Sequence, residues 1–124
     1  SSCGISFPNG SAINYGPLLQ NTLSSMVRLN MTNTGSVNGT LTVEGGNWKD
    51  VSNNDVMFVN VTHFNVTAAT TYAQNKVLSG SDQTITGAFA PAIIQPTFWQ
   101  ILTTLINPSF SGNATQTMNF TVSC

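Results

Sequence analysis

Apolar and polar residues alternate with a period of two along much of the chain. In residues 23–31, Leu23, Val27, Leu29 and Met31 share one face while Arg28 and Asn30 take the other. Residues 38–44 set Leu41 and Val43 against Asn38, Thr40, Thr42 and Glu44. Residues 56–62 set Met57, Val59 and Val61 against Asn60, and near the end Met118, Phe120 and Val122 alternate with Thr117, Asn119 and Thr121. This period marks strands with one face buried. Shorter strands are expected at residues 5–7, 12–15, 84–89 and 98–106. Turn-forming clusters separate these runs at residues 8–10, 33–39, 44–47, 52–55, 79–82 and 108–113. No helical period outlasts a turn or two, and residues 68–78 fit a short helical turn or an irregular crossover. About seven to nine short strands with turns between them predict one antiparallel β-sandwich, a single domain over residues 1–124.

Composition changes the picture of what that domain meets. Only three Lys+Arg and four Asp+Glu are present, 6% charged, against roughly 25% in an average soluble domain. Seventeen Thr, fifteen Asn and thirteen Ser do the solvating instead. A net charge of −1 creates no field to attract nucleic acid or anionic lipid, so neither is expected as a partner. With 40% hydrophobic residues the chain is not a disordered polymer. No run of about 18 apolar residues exists, so no membrane span is expected. The opening Ser-Ser-Cys-Gly, without Met, suits an exported chain after removal of a signal peptide.

Seven N-x-[ST] glycan acceptors occur, at Asn9, Asn30, Asn38, Asn60, Asn65, Asn113 and Asn119. Two or three would be unremarkable in a chain so rich in Asn and Thr. Strand phase sharpens the signal: Asn30, Asn38, Asn60 and Asn119 all fall on the polar face of their runs, where a glycan has room. The reading is a glycosylated, extracellular or cell-surface protein; the plainer alternative is an Asn/Thr-rich exported β protein without sugars.

Several stretches together resemble small immunoglobulin-like domains of archaeal secreted and cell-surface proteins. They are the early Ile5-Ser6-Phe7 with GSAINYG (residues 10–16), LNMTNTG (29–35), GTLTVEGGNWKD (39–50), MFVNVTHFNV (57–66), PTFWQ (96–100) and the closing GNATQTMNFTVSC (112–124). The resemblance covers most of the chain. It implies an Ig-like β-sandwich acting as an extracellular, non-enzymatic module of the cell envelope.

The side chains that could do chemistry are few. His63 is the sole histidine, with no Cys, Asp or Glu at ligand spacing. Glu44, Asp50, Asp55 and Asp82 are the only carboxylates, too few and too turn-bound for a glycosidase pair. Asp50 and Asp55 flank one turn, but Ca²⁺ takes about six to eight oxygens. No nucleophile elbow accompanies His63, and no Gly-rich loop opens a helix to cradle phosphate. Lys49 and Lys76 are candidates for an isopeptide staple to an Asn, without a local mark for it. Trp48, Trp99, Phe98 and Tyr72 offer either a sugar-stacking platform or core packing; Trp99, inside an apolar run, reads as core. No catalytic residue, metal or cofactor is expected.

The only cysteines, Cys3 and Cys124, stand near the two ends. In an exported chain they are expected to form a disulfide. Bridged Cα atoms lie about 4.4–6.8 Å apart. Parallel terminal strands of eight residues would keep the cysteines roughly 26 Å apart, at about 3.3 Å per residue. So the terminal strands run antiparallel, or Cys3 loops back, or the bond joins two subunits.

Two functional expectations follow. One is a structural subunit that polymerises with copies of itself, head to tail, into an extracellular filament or sheath. Residues 1–16 would then be an exchanged strand segment anchored by Ile5, Phe7, Ile13 and Tyr15. The other is a monomeric adhesion or carbohydrate-binding module of the same fold.

Overall fold

The computed structural model describes all residues from Ser1 to Cys124. They form strands and two single-turn 3-10 segments, with no longer helix. Ten strands follow in chain order: β1 (Ile5–Ser6), β2 (Val27–Asn33), β3 (Gly39–Gly45), β4 (Trp48–Lys49), β5 (Asp55–Met57), β6 (Thr62–Asn65), β7 (Lys76–Val77), β8 (Gln83–Phe89), β9 (Ile94–Ile101) and β10 (Met118–Ser123). They build a five-stranded sheet in the order β1-β2-β9-β6-β7, a three-stranded sheet β10-β3-β8 and the two-stranded ribbon β4-β5. Every strand pairing is antiparallel.

The alternating runs bury the faces their periodicity requires except at Leu23, which precedes β2, meets only Leu102 in an isolated bridge and is exposed. Leu29 and Met31 of β2, Leu41 and Val43 of β3, Phe64 of β6, Ile85 and Phe89 of β8 and Trp99 of β9 join Leu78 in one buried cluster. The two larger sheets thus share a core. Met118, Phe120 and Val122 of β10 pack against it half-buried, with Asn119 and Thr121 outside. A second cluster of Trp48, Val56, Met57, Val61 and Ile101 lies where the β4-β5 ribbon meets the end of β9. Each indole N–H donates to a buried threonine hydroxyl: Trp99 Nε1 to Thr97 Oγ1 at 2.7 Å and Trp48 Nε1 to Thr62 Oγ1 at 3.0 Å. Thr97 then donates to the Leu29 carbonyl at 2.7 Å, so the buried hydroxyl is satisfied in both directions.

Three expectations about strands need correction. Residues 12–15 are not a strand: Ile13 and Tyr15 reach the core at a two-residue interval, but their backbone pairs with nothing. The run at 56–62 is broken by a 3-10 turn at Val59–Val61, which buries Val61 and leaves Asn60 outside. The strand expected at 98–106 begins earlier and ends earlier, as β9. Its Pro96 lies opposite Asn30 of β2 and beyond the reach of β6, which pairs only from Phe98 onward. One side of β9 is therefore open at Pro96, where a missing N–H is tolerated. Past Ile101, Thr103 bonds to residues 19–22, while Leu102 N and Ile106 N donate to the carbonyls of Val61 and Val56.

The cysteine question resolves within the chain. Cys3 and Cys124 are bonded, with Cα atoms 6.1 Å apart, and no free thiol remains. β1 leaves, and β10 arrives at, the end of the molecule where residues 34–38 join β2 to β3. The terminal strands therefore run in opposite senses and bring their cysteine ends together. Closing a loop with a sequence separation of 121 stabilises the fold by about 5 kcal/mol in the chain-entropy account.

That junction is held by Asn33, which is 2% exposed. Its Nδ2 donates to the carbonyls of Val37 (2.9 Å) and Phe89 (2.8 Å), and its Oδ1 accepts from Gly35 N (2.9 Å) and Gly4 N (3.3 Å). One carboxamide thus ties the N-terminal segment, the β2–β3 turn and the end of β8. The turn's glycines are there for close approach: a Cβ on Gly35 would overlap Ser2 O and Cys3 Cα, and one on Gly39 would lie 2.6 Å from Val122 Cγ2. Replacing Asn33 by Ala strands two amides and two carbonyls in the interior. Asn33→Ala is expected to lower stability by about 3 kcal/mol, measured by denaturant unfolding of the oxidised protein. A loss under 1 kcal/mol would show that the junction does not depend on it.

Candidate functional site

The N-terminal segment is attached in an unusual way. β1 contributes only two paired residues, Ile5 opposite Asn33 and Ser6 opposite Thr32. Ahead of it, Ser2 O accepts from Ser36 N and Val37 N, and Gly4 O accepts from Thr34 N. Residues 11–18 make no hydrogen bond to any other part of the chain; Gly16 N donates only to Asn14 Oδ1. What holds them is side-chain packing. Ile5, Phe7, Ile13 and Tyr15 all lie against the main core cluster, and Leu18 against the second. Phe7 stands edge-on to Phe120 (centroids 5.7 Å), Phe120 edge-on to Trp99 (5.7 Å), and Trp99 stacks on Phe64 (5.0 Å). Aromatic contacts thus run from the segment into the middle of the larger sheet. Chain pairing resumes after Pro17: Asn21 N and Thr22 N donate to Thr103 O and Oγ1, and Thr103 N donates back to Thr22 O. Gly16 (φ +73°) and Pro17 mark the boundary between the packed segment and this anchor.

Beside the segment, β10 has β3 on one side only. Its other edge offers six residues of strand, Met118–Ser123, without a charged side chain. A crevice of about 350 Å³ between Ile5, Phe7, Met118 and Phe120 separates this edge from the segment. A long edge strand lacking charge is a site for pairing with further main chain.

The acceptor asparagines divide by environment. Asn9, Asn38, Asn60, Asn113 and Asn119 are exposed. Asn30 is half-buried; its Nδ2 donates to Asn9 Oδ1 (2.9 Å) and its Oδ1 accepts from Arg28 Nε (2.7 Å). Asn65 differs. Its Nδ2 donates to both Thr70 Oγ1 and Asn75 Oδ1 at 3.0 Å, while its Oδ1 accepts from Val66 N. Thr70 also donates to Asn75 Oδ1. The two acceptors are neighbours on one side of the amide, so one hydrogen serves both, and Asn65 is held half-buried in this cluster.

At the end of the molecule away from the disulfide lies a cleft of about 830 Å³. Tyr15, Trp48, Leu18, Leu105 and Phe110 form its apolar walls, with Gln20, Thr103, Ser111 and Asn113 among the polar lining. Tyr15 and Trp48 meet at 5.9 Å, tilted by 58°. The Tyr15 hydroxyl is sealed from solvent and has no hydrogen-bond partner, and its burial holds the phenol's pKa far above the ordinary value. Sequence periodicity gave no sign of Leu18, Leu105 or Phe110 here, because all three lie in irregular chain.

The remaining polar candidates are engaged in structure. His63 stacks flat on Tyr72 (centroids 3.6 Å, 4° between planes), and its Nδ1 donates to the Tyr72 carbonyl at 2.7 Å. Asp50 Oδ1 accepts from Ser52 N and Asn54 N across its turn. Asp55 is paired with Lys49 Nζ at 2.7 Å on the surface, and hydrogen bonds from Lys49 and Asn47 lower its pKa. Lys76 Nζ donates to the Thr84 carbonyl and Lys49 Nζ to Asp55, and neither lysine hydrogen-bonds an Asn carboxamide. No three His, Cys, Asp or Glu side chains gather as a metal site. Trp99 is fully buried and Trp48 nearly so; only Trp48 borders open space, in the cleft.

Two measurements check these environments. Glycopeptide mass spectrometry of native material should find the half-buried Asn65 less occupied than the exposed Asn38, Asn60 and Asn119; equal occupancy would show that its tie to Thr70 and Asn75 does not hinder the sugar. Tyr15 has a folded pKa above its unfolded value of 10.0. Its ionisation therefore leaves stability unchanged below pH 10, and stability falls as pH rises past 10, where the unfolded chain ionises first. Alkaline unfolding should accordingly shift to higher pH in Tyr15→Phe. In protein made without glycans that variant should also be more stable near neutrality by about 1 kcal/mol, since it removes an unpartnered hydroxyl. No protein-family model matches the chain, and no curated protein matches its sequence.

Proposed function

We propose that this chain is a non-enzymatic extracellular structural protein, an N-glycosylated Ig-like β-sandwich that assembles with copies of itself by exchanging residues 1–16. The observation that carries this reading is how the segment is held. Four apolar anchors, Ile5, Phe7, Ile13 and Tyr15, seat in the core, while residues 11–18 have no main-chain bond to the body. Such a segment can leave its own groove and enter the identical groove of a neighbour with the same contacts remade. Gly16 and Pro17 stand where the chain would cross. Exchange carries Cys3 along, so its bond to Cys124 would then join successive subunits covalently. Donation from each subunit to the next without closure gives a filament. The uncharged edge of β10 favours further pairing, and sugars on exposed acceptors would keep a surface with 6% charged residues soluble.

The cleft favours a second reading, a monomeric adhesion or carbohydrate-binding module, which predicts a stable monomer that binds free oligosaccharide. Native material separates the two. Boiled in denaturant without reductant and with thiols blocked, it should run as a ladder of multiples that collapses to one band on reduction. Deleting residues 1–16 should abolish fibres seen by electron microscopy, and adding residues 1–16 as a peptide should stop the intact protein from elongating. A single monomeric band without reductant, together with a monomer by light scattering at high concentration, would overturn the assembly reading.

A further inference from the structure

We propose that the cleft is the seat of the glycan carried by Asn113, whose sugars fold back onto the rings of Tyr15, Trp48 and Phe110. This rests on the reading of the chain as a glycoprotein and goes beyond it by giving one glycan a docking site.

Of the seven acceptors, Asn113 alone lines this cleft. Its position is fixed from the body of the protein. Two residues on, Thr115 exchanges both main-chain hydrogen bonds with Lys49, at 2.8 and 2.9 Å, and Lys49 adjoins Trp48 in β4. The acceptor is therefore pinned to the strand that supplies the cleft's indole. Asn113 is itself exposed, leaving its amide free to carry sugar.

The lining matches a neutral polyhydroxyl chain better than any charged ligand. None of the side chains around the cleft is charged. Aromatic rings present apolar faces to the C–H side of a sugar ring, and Gln20, Asn14 and Ser111 offer amide and hydroxyl partners to its rim. The volume of about 830 Å³ accommodates a few sugar units, within the usual range of roughly 300–1,000 Å³ for ligand sites. Stacking of a free sugar here would be weak. Covalent attachment at the rim raises its local concentration to about the millimolar range or above, so modest contacts suffice for occupancy.

The test uses glycosylated protein from the native source or from a host with the same glycosylation machinery. Thr115→Ala removes the Asn113 acceptor without altering Asn113 or the backbone bonds to Lys49; Thr121→Ala removes the Asn119 acceptor on the outer face of β10. Thr115→Ala is expected to lower the thermal midpoint by about 4 °C and Thr121→Ala by no more than about 1 °C. In the unaltered protein, NMR should show cross-relaxation between sugar ring protons and the ring protons of Phe110 or Trp48, absent in Thr115→Ala. Equal shifts for the two variants with no such cross-relaxation, while glycopeptide mapping finds Asn113 occupied, would overturn the docking and leave the glycoprotein reading standing. A bare Asn113 beside occupied Asn38, Asn60 and Asn119 would overturn the docking at its premise, and sugar-free protein throughout would overturn both readings.

Discussion

The two ends of the chain meet over one five-residue turn, and the carboxamide of Asn33 makes that meeting possible. Amides and carbonyls shielded from water must find partners, and the turn after β2, the end of β8 and the incoming N-terminal segment leave four such groups at one point. Asn33 is the side chain that answers all four with two donors and one doubly accepting oxygen. Gly35 and Gly39 then let the terminal backbones lie against the turn, and the disulfide closes the ring. Without that junction neither β1 nor the cysteine pair has a defined place.

The junction also shapes what the N-terminal segment can do. Its first residues are tied by main-chain bonds and a covalent bridge, whereas the stretch from residue 11 to 18 is tied by side-chain burial alone. Burial is non-directional and can be remade in any identical groove. In the proposed exchanged assembly the two attachments would act together: packing would recognise the segment, and the cysteine pair would lock it. A domain with so few charges has little electrostatic protection against edge pairing, which makes both the exposed acceptor asparagines and the uncharged β10 edge relevant to how copies meet.

Buried polar groups are handled by threonine and asparagine in place of charge. Thr97 and Thr62 receive the indole N–H groups of Trp99 and Trp48, and the Asn65–Thr70–Asn75 cluster closes the loop before β7. The abundance of Thr and Asn is thus partly interior chemistry and only partly a solvating surface. Two buried polar atoms, the Tyr15 hydroxyl and Asn75 Nδ2, are left without a partner.

Much of this was legible in one dimension. Period-two alternation set the all-β class, the buried faces of β2, β3 and β10, and the outward phase of Asn30, Asn38 and Asn119, because a strand's faces follow from local geometry alone. Cysteines near both ends announced a bridge, and the alternation of Ile5, Phe7, Ile13 and Tyr15 matches side chains that lie half-buried against the core. Which alternation becomes a strand was decided elsewhere. Residues 12–15 alternate as well as any, but tertiary packing gives their backbone no neighbour to pair with; residues 59–61 lose their strand to a turn that buries Val61. Asn65 shows the same limit: its motif matches the other acceptors, and only the meeting with Thr70 and Asn75 engages its amide. The cleft was invisible, since it joins residues near 15, 48 and 110, far apart in the chain, and no local period says that they meet. Strand faces and chain-end cysteines are local facts that sequence alone determined; pairing partners, the Asn33 junction and the cleft depend on contacts between distant residues, and only the tertiary structure could decide them.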